Sequence, residues 1–95
     1  VPFIEGVFEL AQNDIIPGGS KNNLTFVKDN IDFSNIITDY QKWMLSDSQT
    51  SGGLLFSIPK DEANKLLSNL NKNQVLSTAV IGQIFLKAEK SIYVN

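Results

Sequence analysis

The residues best suited to chemistry in this sequence form one polar loop, residues 47–53, which reads Asp-Ser-Gln-Thr-Ser-Gly-Gly. Its amide and hydroxyl side chains donate and accept hydrogen bonds, and its two glycines let a ligand or a second backbone approach closely. Backbone N–H groups of glycine-rich turns also form concave sites for anions. The loop is therefore predicted to hold a phosphate or an acyl oxygen; the alternative is a tight turn that only leads into a strand. The predicted ligand-binding residues are Gln49, Thr50, Ser51, Gly52 and Gly53.

A second polar group follows the sequence Pro-Gly-Gly at residues 17–19. Proline and two glycines should end a preceding helix and force a turn, and Ser20 can cap the element that follows. The amides of Asn22 and Asn23 would then lie near the glycines. They bond either the backbone of the turn itself or a bound ligand. On the second alternative, Asn23 joins the predicted ligand-binding residues.

The composition excludes several kinds of chemistry. The 95 residues include no cysteine and no histidine, which leaves no thiol nucleophile, no histidine base and no usual zinc site. We therefore predict no catalytic residue and no metal ligand in this chain. The chain has eight cationic side chains, all lysines, and ten acidic ones, which gives a net charge of −2. This charge argues against a surface that binds nucleic acid or an anionic membrane.

The sequence also lacks the signals of membrane insertion or export. No apolar stretch approaches the roughly 18 residues that a membrane-spanning helix needs, and the first residues lack the cationic flank of a signal peptide. We therefore predict a cytoplasmic protein without a membrane partner.

The polar loop is predicted to lie between a helix and a strand. The spacing of apolar residues indicates a helix over residues 36–45, capped by Ser34 or Asn35, with Tyr40 among the aromatic residues of its core-facing side. After the loop, residues 54–59 hold four large apolar groups and end at a proline. This run has the length of a buried strand and is too short for a helix.

The other elements follow from the same periodicities. A helix is predicted over residues 2–12 unless it begins after Gly6, and its carboxylates Glu5 and Glu9 are interpreted as solvated rather than as an acid/base pair. The remaining predictions are one or two helical turns over residues 21–28, a helix from Lys60 to the Asn-Lys-Asn at 71–73, a strand over 76–86 and a last strand over 92–94. The final two strands should form a hairpin. The order predicts an α+β fold with a mainly antiparallel sheet packed against helices.

Three segments together resemble the C-terminal region of the selenophosphate synthetases, also called selenide, water dikinases. They are residues 16–24, 47–55 and 79–84, and their order and separations are similar to those of the family. The middle segment is the most specific. The family usually has Asp-Pro-Gln-Thr-Ser-Gly-Gly there, so Ser48 replaces a proline, which loosens the turn and keeps the polar groups. Ser20 stands where the family more often has threonine, which keeps the hydroxyl.

The resemblance covers practically the whole chain. It implies that residues 1–95 are part of a C-terminal domain similar to that of the aminoimidazole ribonucleotide synthetase superfamily. The family's enzymes convert selenide, ATP and water into selenophosphate, AMP and phosphate. The resemblance places ATP, magnesium, the catalytic cysteine or selenocysteine and a dimer interface in an N-terminal domain that is not in this sequence. On this basis the activity belongs to a longer parent protein, and this chain alone binds no cofactor.

A different class of function remains open. The chain could be a stand-alone binding or assembly module built on half of the same fold. If the chain is truncated, apolar surfaces that the missing half would cover stay exposed, so we expect self-association. The gene upstream of Val1 discriminates the two: a glycine-rich stretch with a reactive cysteine and several aspartates supports the enzyme, and an immediate start codon supports the module.

Overall fold

The computed structural model describes residues 1–49 and 52–95, so Thr50 and Ser51 lie outside the described residues. The described chain is a mixture of helices and short strands, which confirms the α+β class. It divides into two compact units. The larger unit comprises Ile4–Gly52 and Leu86–Asn95, and the smaller unit comprises Val1–Phe3 and Gly53–Phe85.

The larger unit is built around one central helix. Its elements are α1 (Val7–Gln12), α2 (Gly18–Val27), a 3₁₀ turn (Lys28–Asn30), β1 (Ile31–Phe33), α3 (Asp39–Leu45) and β2 (Ile92–Val94). Both α1 and α2 pack against α3. Ala11 of α1 and Met44 of α3 are buried, and the rings of Phe8 and Tyr40 meet edge to face at 5.3 Å. Tyr40 is therefore a packing residue, as the helical spacing predicted.

α1 begins at one of its two predicted positions, whereas α2 and α3 begin at residues other than those predicted. α1 begins after Gly6, whose φ of +84° is costly for any other residue, so the second of the two alternatives is confirmed. α2 begins at Gly18 rather than at residue 21, because Pro17 with its φ of −58° leads directly into the first helical turn. Ser20 therefore lies inside the helix and does not cap it.

α3 begins at Asp39, several residues after the predicted caps Ser34 and Asn35. Its first turn is closed by Gln41, whose Oε1 accepts hydrogen bonds from the Thr38 backbone N–H at 2.8 Å and from the Thr38 hydroxyl at 2.9 Å. A glutamine three residues after a threonine satisfies the free donors at a helix start. The helix is therefore capped by Thr38 and not by the predicted residues Ser34 or Asn35.

The sheet of the larger unit differs from the prediction. β1 and β2 pair in parallel, with Ile31 opposite Ile92 and Phe33 opposite Val94. The predictions of a mainly antiparallel sheet and of a final hairpin are therefore wrong for the described residues. The last strand pairs with a strand far away in the sequence. A parallel pair requires such a long connection, whereas a hairpin needs an adjacent partner strand.

The smaller unit contains the helix that the sequence predicted best. A 3₁₀ turn (Lys60–Glu62) leads into α4 (Ala63–Lys72). Its half-buried positions recur at helical spacing along one face, and every other position is exposed. These half-buried residues are Ala63, Leu66, Leu67 and Leu70. α4 ends at Lys72, within the predicted Asn-Lys-Asn, where the Asn73 Nδ2 donates to the Asn69 carbonyl at 2.8 Å.

The two long apolar segments of the smaller unit are not strands. Residues 54–58 and 76–85 have no regular structure, and their large apolar side chains are exposed, Leu54 at 84% and Ile84 at 81% for example. The strand predictions for 54–59 and 76–86 are therefore wrong for this structure. A strand is stable only when its backbone groups pair with a second strand, and β propensity cannot replace that partner. No helix in the described part of the chain is long and apolar enough to span a membrane.

Candidate ligand-binding loop

The loop of residues 47–53 begins where α3 ends. The Ser46 backbone N–H donates to the carbonyls of Lys42 at 3.2 Å and Trp43 at 3.1 Å, and its hydroxyl donates to Lys42 O at 2.9 Å. These bonds satisfy carbonyls in the last turn of the helix. The chain therefore leaves α3 in a defined direction at Ser46.

Two side chains of helix α2 form hydrogen bonds with the residues where α3 ends and the loop begins. The Ser20 hydroxyl donates a hydrogen bond to Oδ1 of Asp47, and Ser20 is only 1% exposed. One turn along the helix, Nδ2 of Asn23 donates to the Ser46 carbonyl at 3.0 Å and to the Ser48 hydroxyl at 3.1 Å. The structure thus brings together the two polar groups that the sequence analysis singled out.

The side chain of Lys21 on α2 lies over the Trp43 ring of α3. Nζ of Lys21 lies 4.6 Å from the centre of the Trp43 ring and 2.9 Å from Oδ1 of Asp14. Cation–π contact and the ion pair both hold this lysine in place. The Trp43 ring therefore packs within the larger unit, as was predicted for the aromatic residues of this helix.

The two loop glycines have different surroundings. A Cβ added to Gly52 would lie 2.8 Å from Cβ of Gln49, whereas one added to Gly53 would meet no atom within 4 Å. Gly52 is thus the loop glycine at which an added side chain would clash, with Gln49.

Comparison with known proteins shows one consistent similarity. The chain is 38% identical over 95 residues to a selenide, water dikinase of Aliarcobacter butzleri, which is all of this chain and 28% of that protein. It is 37% identical over 94 residues to the one of Clostridioides difficile, and 39% identical over 101 residues to the one of Treponema denticola. These matches cover 99% and 100% of this chain, and 27% and 28% of those proteins. This chain is a relative of the selenide, water dikinases.

The chain spans about a quarter of the length of the selenide, water dikinases that it matches. No protein-family model matches the chain. No solved structure matches it.

For this relative of the selenide, water dikinases, the structure places four of the six predicted site residues. Gln49 and Gly52 lie against each other, Asn23 contacts the loop entrance, and Gly53 begins the smaller unit. Thr50 and Ser51 lie outside the described residues. That any of the six binds a ligand stays a prediction.

Sequence reasoning missed one residue pair, Ser20 with Asp47. A signal for it was present, since both residues fall within segments that resemble the dikinase family. Their pairing could not be read from spacing, because the two are 27 residues apart.

The contrast between the two glycines gives a matched test. We expect Gly52→Ala to lower the free energy of unfolding of the larger unit by about 1–2 kcal/mol, because the added methyl must displace Gln49. Gly53→Ala should change it by less than about 0.5 kcal/mol. Urea unfolding followed by the fluorescence of Trp43, the single tryptophan of the chain, measures both. Equal values for the two variants would show that the close approach does not matter.

Proposed function

We propose that the chain is the C-terminal part of a selenophosphate synthetase and contributes the 47–53 loop to that enzyme's ligand site. The enzyme would convert selenide, ATP and water into selenophosphate, AMP and phosphate. The main support is the similarity to selenide, water dikinases along the whole chain. The contacts of Ser20 with Asp47 and of Asn23 with Ser48 add to it, since they join two of the three segments that carry the resemblance.

The loop's role in this proposal is to bind a phosphate or selenophosphate oxygen. Backbone N–H groups beside Gly52 and Gly53, the amide of Gln49 and the hydroxyls of Thr50 and Ser51 form a set of donors suited to an anion. Mg²⁺ instead takes carboxylates and water. Among residues 1–49 and 52–95 no three acidic side chains gather closely enough to hold a metal ion. In this proposal the rest of the parent enzyme binds its ATP and magnesium, as the family resemblance implies.

The partners of this chain would be the other parts of the same enzyme. The rest of the polypeptide, including an N-terminal domain, would supply the nucleotide site and the reactive cysteine or selenocysteine, in a dimeric, cytoplasmic enzyme. The fold would be completed as a C-terminal domain like that of aminoimidazole ribonucleotide synthetase. The exposed apolar segments of the smaller unit support a covering partner, because contiguous exposed apolar surface marks interaction sites.

A chimera tests the proposed function. These 95 residues would replace the matching segment of the Aliarcobacter butzleri selenide, water dikinase, which aligns with the whole of this chain. We expect the chimera to form selenophosphate, detected by ³¹P NMR, with AMP and phosphate released in equal amounts. The unaltered A. butzleri protein is the positive control. A chimera that keeps the thermal midpoint of that control but forms no selenophosphate would refute the proposal.

The isolated chain should be inactive. We expect no hydrolysis of ATP above background by the 95-residue chain, even with Mg²⁺ and selenide, because the proposal places the nucleophile and the nucleotide site in the rest of the enzyme. Release of AMP and phosphate by the pure chain measures this directly. Turnover that co-purifies with the folded chain would show that the site lies within these residues.

A further inference from the structure

The entrance of the 47–53 loop is bound by two helices at once. α3 holds it through the backbone of Ser46, and the Asp47 N–H lies 3.4 Å from the carbonyl of Met44. α2 holds it through the side chains of Ser20 and Asn23. The loop anchor, defined as Ser20 and Asn23, is thus the part of this attachment that comes from side chains distant in the sequence.

The side-chain amide of Asn23 donates two hydrogen bonds to the loop entrance. Its amide nitrogen carries two hydrogens. One points to the Ser46 carbonyl and the other to the Ser48 hydroxyl, at 3.0 and 3.1 Å. Asn23 therefore has no further N–H to offer a ligand while it holds the loop.

Ser20 makes the more buried contact of the anchor. Its hydroxyl is shielded from solvent and donates to a carboxylate oxygen of Asp47. A hydrogen bond to an ionised acceptor is stronger than one between neutral groups. Losing it would also leave the Asp47 carboxylate without that donor.

From these contacts we propose that Ser20 and Asn23 are positioning residues, which hold the loop entrance at Ser46, Asp47 and Ser48 in place for ligand binding by the loop. This inference rests on the proposed function of the loop. It changes the role of Asn23 from a ligand contact to a loop anchor. The physical reason is entropic, because a loop that is already ordered loses less conformational freedom when it binds.

The first test measures loop order in the 95-residue chain. Amide hydrogen exchange at Ser46 and Asp47, whose N–H groups bond carbonyls of α3, should become faster by about threefold or more in Asn23→Ala, as expected for the loss of hydrogen bonds of ordinary strength. Asn22→Ala is the matched control, because Asn22 is an exposed asparagine on the same helix. Ser20→Ala should act like Asn23→Ala, and Ser20→Thr, which keeps the hydroxyl, should restore slow exchange. Unchanged exchange in both alanine variants would overturn the anchor.

The second test asks whether the anchor acts through the loop. In the A. butzleri chimera, Asn23→Ala should lower kcat/KM by about threefold or more, and Asn22→Ala should not. Combined with Thr50→Val, its effect should be less than additive, because both changes act on one loop. Full additivity would overturn a positioning role. If Thr50→Val alone has no effect while exchange at Asp47 still becomes faster in Asn23→Ala, the anchor stands and the proposed function of the loop fails.

Discussion

Thr50→Val or Ser51→Ala in the A. butzleri chimera is expected to lower selenophosphate formation at least tenfold, which corresponds to about 1.4 kcal/mol of transition-state stabilisation. Each change removes one hydroxyl with little change in volume. If that hydroxyl donates to a phosphate or selenophosphate oxygen, its loss leaves a charged oxygen without a donor, which costs more than an ordinary hydrogen bond. The expectation comes from the sequence, since both residues lie outside the described part of the structure.

Two measurements separate a binding role from a structural one. Steady-state rates should fall for at least one of the two variants, while the thermal midpoint stays within about 1 °C of that of the unaltered chimera. For a protein several times as long as this chain, such a shift corresponds to less than about 1 kcal/mol. Ser57→Ala is a matched control, because it removes an exposed hydroxyl from the segment after the loop. Normal rates in both loop variants, or activity that falls only in proportion to stability, would make the loop structural.

The second large effect concerns self-association of the 95-residue chain. Leu54, Leu55 and Ile84 are each at least 79% exposed, in segments whose backbone pairs with no other described strand. Water contact with such side chains is unfavourable, and unpaired extended backbone is a template for pairing with another chain. We expect a dimer or a larger oligomer at micromolar concentration in analytical ultracentrifugation.

Paired substitutions test which surface carries the association. Leu55→Lys with Ile84→Lys should weaken it at least tenfold, since each buried aliphatic side chain contributes about 1.5–3 kcal/mol. Ser57→Lys with Gln83→Lys adds the same charge at exposed polar positions of the same two segments and should leave the association nearly unchanged. A clean monomer at high concentration that binds no hydrophobic dye would contradict this prediction.

The sequence by itself determined what local chemistry can encode. A helix ending near Lys72 was predictable because Pro59 and acidic residues precede it and its leucines recur at helical spacing on the face that is half-buried, although residues 60–62 form a 3₁₀ turn before α4. The packing role of Tyr40 followed from the same spacing. Similarity to the selenide, water dikinases also came from short segments of sequence. The start of α2 was predicted less well, because Pro17 and two glycines can equally end one helix or begin the next.

Only the tertiary structure decided which distant residues meet. The Asn23 amide bonds Ser48 across 25 residues, and the Ser20 hydroxyl bonds Asp47 across 27, and no periodic pattern marks such contacts. The pairing of β2 with β1 is of the same kind, since apolar alternation shows that a segment can form a strand and says nothing about its partner or direction. Residues 54–58 were predicted to form a strand and do not form one. Their composition favours a strand, yet a strand forms only where a second backbone completes its hydrogen bonds.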